Sequence, residues 1–147
     1  LHNPKMPNDN GIAIFRYPGG PLADVCCSFT NRAGENTTEI VCGRGTIIQN
    51  YGDAPSCNAP RPDGACGLKW FDAASGGWID SGIPSPSNHG ARISGLAIPL
   101  AEFICGSRPP LATAAEGRDV LRMVLAAYVS SRDGKRIRID DKEIYSI

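Results

Sequence analysis

Hydrophobic and polar positions along this chain follow two different rhythms. As far as Ile83 they come in short runs, cut by Gly and Pro. Ile12–Tyr17, Leu22–Thr30, Thr38–Cys42, Thr46–Tyr51, Leu68–Phe71 and Trp78–Ile83 read as strands, rich in Ile, Val, Phe, Trp and Thr. Pro18-Gly19-Gly20-Pro21, Asn31–Asn36, Gly43-Arg44-Gly45 and Ser75-Gly76-Gly77 are the turns between them. Gly52–Gly67, with its Pro, Gly and Cys, reads as a surface loop, and residues 1–10 as an irregular lead-in. Short turns between successive strands predict an antiparallel meander.

Beyond Pro84 the spacing lengthens to three and four. Ser87 or Asn88 can cap a helix carrying Ile93, Leu96, Leu100, Phe103 and Ile104. Pro99 lies inside that pattern and predicts a kink or a late start, because it lacks the N–H and crowds the preceding turn. Gly106 ends it. The second helix, from Thr113 to Ser131, is the best specified. Thr113 and Glu116 have capping-box spacing, and Leu121, Val124, Leu125 and Tyr128 form an apolar stripe that Val120 and Val129 widen. Gly134 is its stop, and Arg136-Ile137-Arg138-Ile139 alternates as a short strand would. Strands followed by two helices predict an α+β fold: an open-faced, mainly antiparallel sheet with both C-terminal helices packed on one face.

Composition narrows the function classes. The 147 residues fit a single domain, and a chain of that size hides roughly 68–70% of its unfolded surface. Fifteen basic residues balance fifteen acidic ones, so no charge excess calls for nucleic acid or an anionic membrane as partner. No apolar run approaches the roughly 18 residues of a membrane-spanning helix. The chain opens on Leu1 with a polar stretch and no signal-peptide core, which fits a processed product or a piece of something longer.

Six cysteines are present, without a Cys-x-x-Cys pair, and only two histidines. That spacing gives a zinc site little support. Cys26, Cys27, Cys42 and Cys105 lie in apolar segments and read as small buried hydrophobes in a reducing, cytoplasmic setting. Cys57 and Cys66 share the Pro/Gly-rich loop and are the pair best placed to meet. A secreted, disulfide-framed domain is the competing reading.

Chemistry-bearing motifs are sparse. Gly43-Arg44-Gly45 precedes a strand rather than a helix, so it is a hairpin turn and not a nucleotide cradle. A Cys–His nucleophile would need Cys26 or Cys27 beside His89, and nothing in the sequence lowers those thiols. No residue qualifies as catalytic, cofactor-binding or metal-ligating. His89 and Arg92 are the candidate ligand-lining pair: at a helix entrance they could hold a negatively charged or polyhydroxyl ligand, or His89 and Asn88 could simply cap the helix.

The order of segments resembles the C-terminal half of the Gfo/Idh/MocA family of NAD(P)-dependent sugar and cyclitol oxidoreductases. Three stretches carry the resemblance. They are Asp9-Asn-Gly-Ile-Ala-Ile-Phe-Arg-Tyr-Pro-Gly-Gly through Cys27-Ser-Phe-Thr, Thr38-Glu-Ile-Val-Cys-Gly-Arg-Gly-Thr-Ile-Ile, and Leu100-Ala-Glu-Phe-Ile-Cys-Gly-Ser-Arg-Pro-Pro with Glu116-Gly-Arg-Asp-Val-Leu and Tyr128-Val-Ser-Ser-Arg-Asp-Gly-Lys-Arg-Ile.

The resemblance implies a parent with a Rossmann domain, a Gly-rich cofactor turn and a Glu-Lys-Pro segment ahead of this region. It also implies an Asp and a His early in the sheet domain. None of these has a counterpart position here, so no catalytic residue is carried over, and NAD or NADP is expected for the parent alone. The part present would serve oligomerisation through the open sheet face and form one wall of a sugar or cyclitol site. The alternative is a stand-alone oligomeric binding module without enzymatic activity.

Overall fold

A computed structural model describes residues 10–28, 37–49, 64, 66–86 and 89–147. The fold is α+β, with two antiparallel sheets. Its strands are β1 (Asn10–Arg16), β2 (Leu22–Ser28), β3 (Thr38–Cys42), β4 (Gly45–Gln49), β5 (Leu68–Asp72) and β6 (Gly77–Asp80). Its helices are α1 (His89–Ser94), α2 (Ala97–Ile104), α3 (Ala114–Asp133) and a terminal 3-10 helix, Lys142–Tyr145. The expected lead-in before Asn10, the Asn31–Asn36 turn, most of the Gly52–Gly67 loop, the Cys57–Cys66 pairing and the Ser87 or Asn88 cap lie outside the described residues.

The meander expected of all six strands divides. β1 and β2 form a two-stranded sheet, and β3-β4-β5-β6 a four-stranded one. The chain accordingly forms two compact units. One holds the described residues from Ser28 to Ala97, and the other joins Asn10–Cys27 to Ile98–Ile147.

In the first unit every neighbour pairing is antiparallel. Cys42 pairs with Gly45 across Gly43-Arg44, which makes the two-residue hairpin expected there. The β5–β6 turn is built by Asp72. Its carboxylate accepts from the Ala74 and Ser75 N–H groups, its carbonyl accepts from the Gly76 N–H, and Gly76 is left-handed at φ 68°. The hydrogen bonds, from Ser75 first and then from the Ala74 amide, hold the Asp72 carboxyl below its ordinary range.

The first expected helix is realised as two. Gly95 and Leu96 break it between α1 and α2. Pro99 falls in the first turn of α2, where a missing N–H costs no intrahelical bond, so the late start holds. Gly106 follows α2 in the left-handed conformation at φ 74°.

In the second unit, β1 is a strand of alternating exposure whose alternation runs against residue size. Gly11, Ala13 and Phe15 are half-buried, while Ile12 and Ile14 are 79% and 73% exposed. The hairpin closes with the Tyr17 N–H donating to Pro21 O at 2.9 Å, and the Tyr17 hydroxyl donates weakly to Met123 Sδ on α3 at 4.0 Å.

α3 begins with the expected capping box. Thr113 Oγ1 accepts from the Glu116 N–H at 3.2 Å, and Glu116 Oε2 accepts from the Thr113 N–H at 2.7 Å. The Thr113 amide, then its hydroxyl, holds the Glu116 carboxyl below its ordinary range. Thr113→Ala should therefore weaken α3 by about 1 kcal/mol, measurable as lost helicity on thermal unfolding. A carboxyl with a lowered folded pKa contributes stability that is fully present above its unfolded pKa and is lost as pH falls through the folded value. Glu116→Gln should thus flatten the acid side of the stability profile. An unchanged slope below neutral pH would refute that role for Glu116.

At its other end α3 stops where expected. Gly134 is left-handed at φ 64°, and its N–H donates to Ser130 O at 2.9 Å. The strand expected at Arg136–Ile139 does not form. Ser130 Oγ donates to Lys135 O at 2.7 Å, and the Asp141 N–H donates to Arg138 O at 3.1 Å, so the segment turns back rather than extending. A strand also needs a neighbour to satisfy its backbone, and this segment is paired with none of the sheets described.

The turned segment delivers the 3-10 helix onto α3. Ala126, Val129 and Ile144 are the buried apolar residues among those described, with Val129 and Ile144 at 0% exposure. The inward side of α3 is thus the Ala126–Val129 side. Arg122 lies on it too, as its Nε donates to the Tyr145 hydroxyl at 3.2 Å. Of the expected apolar face, Val129 is buried and Leu125 half-buried, while Val120, Leu121, Val124 and Tyr128 are exposed instead.

Candidate functional site

His89 and Arg92 both fall on α1, with His89 the first residue and Arg92 in the last turn. Three residues apart, they occupy neighbouring positions on one helical surface. The His89 side chain lies outside what is described, and Arg92 is half-buried. α1 spans only six residues, and the turn after it is closed by the Gly95 N–H donating to Ala91 O and the Leu96 N–H donating to Ile93 O, each at 3.0 Å. Of the expected pair, one side chain has a described place, on a helix too short to give much of a dipole.

The more extensive surface is the four-stranded sheet. Directly paired residues share a face, so the register fixes its composition. Ile40 pairs with Ile47, Ile47 with Trp70, and Trp70 with Ile79. These four make one apolar row across the whole sheet. Ile40, Ile47 and Ile79 are exposed and Trp70 is half-buried. The other face carries Val41, Thr46, Phe71 and Trp78 in the adjoining row. Phe71 and Trp78 meet edge to face there, with ring centroids 5.7 Å apart at 64°. Lys69 and Asp80, also paired, stand 3.9 Å apart at the surface, where an ion pair contributes little.

The row Ile40–Ile47–Trp70–Ile79 carries no titratable group. It can hold apolar surface and it cannot move a proton. Its strands were legible in the sequence, but its face was not. Val41, Ile48, Phe71 and Trp78 are apolar too, so strict alternation fails and neither face stands out as inward. The signal that could have found it is the strand register itself, which the Gly43-Arg44 turn sets for β3–β4 and the Asp72–Gly76 turn for β5–β6.

The thiols differ from expectation. Cys26, Cys27, Cys42 and Cys105 carry no disulfide, and all four are exposed rather than buried. Cys26 and Cys27 are neighbours on β2 and so project to opposite faces, which bars them from sharing a ligand. Cys27 Sγ lies 3.3 Å from the position a Cβ on Gly11 would take. Among the described residues no three His, Cys, Asp or Glu side chains converge to hold a metal ion. No helix among them is long and apolar enough to cross a membrane.

The acidic residues near the end of the chain, Asp140, Asp141 and Glu143, each have a partner. Asp140 pairs with Arg138 at 2.9 Å, and Asp141 caps the 3-10 helix by accepting from the Glu143 N–H at 3.0 Å. Glu143 meets Lys135 at 2.8 Å. The Arg138 side chain, hydrogen-bonded to Asp140, is the main cause holding the Asp140 carboxyl below its ordinary range. These carboxylates are occupied in bracing the helix end.

Comparison with known proteins finds no matching family model, no matching curated protein and no matching solved structure.

Proposed function

We propose that this chain is the sheet-and-helix portion of a Gfo/Idh/MocA-type oxidoreductase, serving oligomerisation and lining one wall of a sugar or cyclitol site. The observation that carries the reading is the apolar row Ile40–Ile47–Trp70–Ile79 on a regular antiparallel sheet, with three of its four side chains exposed. Single exposed hydrophobes are ordinary, whereas a contiguous row of four marks a surface meant for contact. In this reading a face of the sheet meets a second copy, and the parent transfers hydride between NAD(P) and a hydroxyl-bearing carbon. His89 and Arg92 would line the substrate wall.

The test has two arms. Sedimentation should give a dimer or larger assembly, and Ile47→Lys should shift it to monomer while the far-ultraviolet circular dichroism is retained. A buried unpaired ammonium is costly at an interface and tolerated on a surface. A wild-type monomer at high concentration, or an Ile47→Lys assembly of unchanged size, would overturn the oligomer role.

Titration of the 147-residue chain with NADH or NADPH should show no micromolar binding, since its residues include no Gly-rich cofactor turn. Micromolar binding would sink the division of labour proposed. A stand-alone oligomeric module would pass both arms. It is separated by the coding sequence upstream of Leu1: a Gly-x-Gly-x-x-Gly and a Glu-Lys-Pro in the same frame belong to the dehydrogenase reading alone.

A further inference from the structure

We draw no further inference here: the strongest candidate, the exposed apolar stripe of Val120, Leu121, Val124 and Tyr128 along α3, carries nothing because nothing in the structure shows what covers it.

Discussion

Ile144→Ala should destabilise the unit containing α3 by about 2–5 kcal/mol, the range for truncating a buried Ile to Ala. The expectation rests on how few side chains are fully enclosed. Ile144 and Val129 are both at 0% exposure, and Ala126 is the remaining buried apolar residue among those described. Ile144 sits on the 3-10 helix that packs against α3, so its methyl groups join two elements.

Polar contacts flank it on both sides. Arg122 donates to the Tyr145 hydroxyl, and Arg132 donates to Ser146 through Nη1 to the carbonyl at 3.0 Å and Nη2 to the hydroxyl at 3.1 Å. These are exposed contacts of small individual weight, and they hold only while the 3-10 helix is seated. Urea unfolding followed at 222 nm gives the free-energy change. Amide exchange over Lys142–Tyr145 shows whether the 3-10 helix detaches. Ile147→Ala is the control: Ile147 is exposed, and its loss should move stability by no more than about 0.5 kcal/mol. If the two variants behave alike, Ile144 does not anchor the tail.

Gly45→Ala should break the four-stranded sheet, at a cost of about 3 kcal/mol or more. Two causes act together. Gly45 has φ 150°, a conformation L side chains rarely adopt, and such strain costs roughly 1–3 kcal/mol. A Cβ there would also run into the Phe71 carbonyl oxygen, and backbone cannot step aside as a side chain can. Gly45 pairs with both Cys42 and Asp72, so relief by movement would disturb the β3–β4 and β4–β5 ladders together. Gly43→Ala separates turn chemistry from close approach: a Cβ on Gly43 meets nothing within 4 Å. Loss of Trp near-ultraviolet dichroism in Gly45→Ala and its retention in Gly43→Ala is the expected pattern. Equal melting of the two variants would remove the close-approach argument.

Local signals in this sequence were dependable where the cause was local. The Thr113–Glu116 capping box, the Gly134 and Gly106 stops and the Gly43-Arg44 hairpin each depend on a few adjacent residues, and each formed as expected. Expectations that depended on distant partners fared differently. Arg136–Ile139 alternates like a strand, but alternation cannot supply a neighbour. The hydrogen bonds of Ser130 and Arg138 turned the segment instead.

The α3 stripe shows the same limit. Helical spacing gave Val120, Leu121, Val124, Leu125, Tyr128 and Val129 as one face, and of these Val129 is the fully buried one. Which side faces inward was decided by Ile144, 15 residues beyond Val129 in the chain. The division of six strands into two sheets was equally hidden, since each turn signal reports a change of direction and not which strands share a ladder. For the candidate site, the residues singled out by type, His89 and Arg92, fell on a short helix. The apolar row drawn from four strands became visible only once the register was known.

The second unit is discontinuous, and this sets an order in time. Asn10–Cys27 is synthesised first, but its partners, Ile98–Ile147, follow only after the intervening stretch. At 5–20 residues per second, about 70 residues of translation separate them by roughly 4–14 s. A two-stranded hairpin is at best marginally stable alone in water, so for that interval β1 and β2 lack the segment that completes their unit. The four-stranded sheet, continuous in sequence, can form while the hairpin waits.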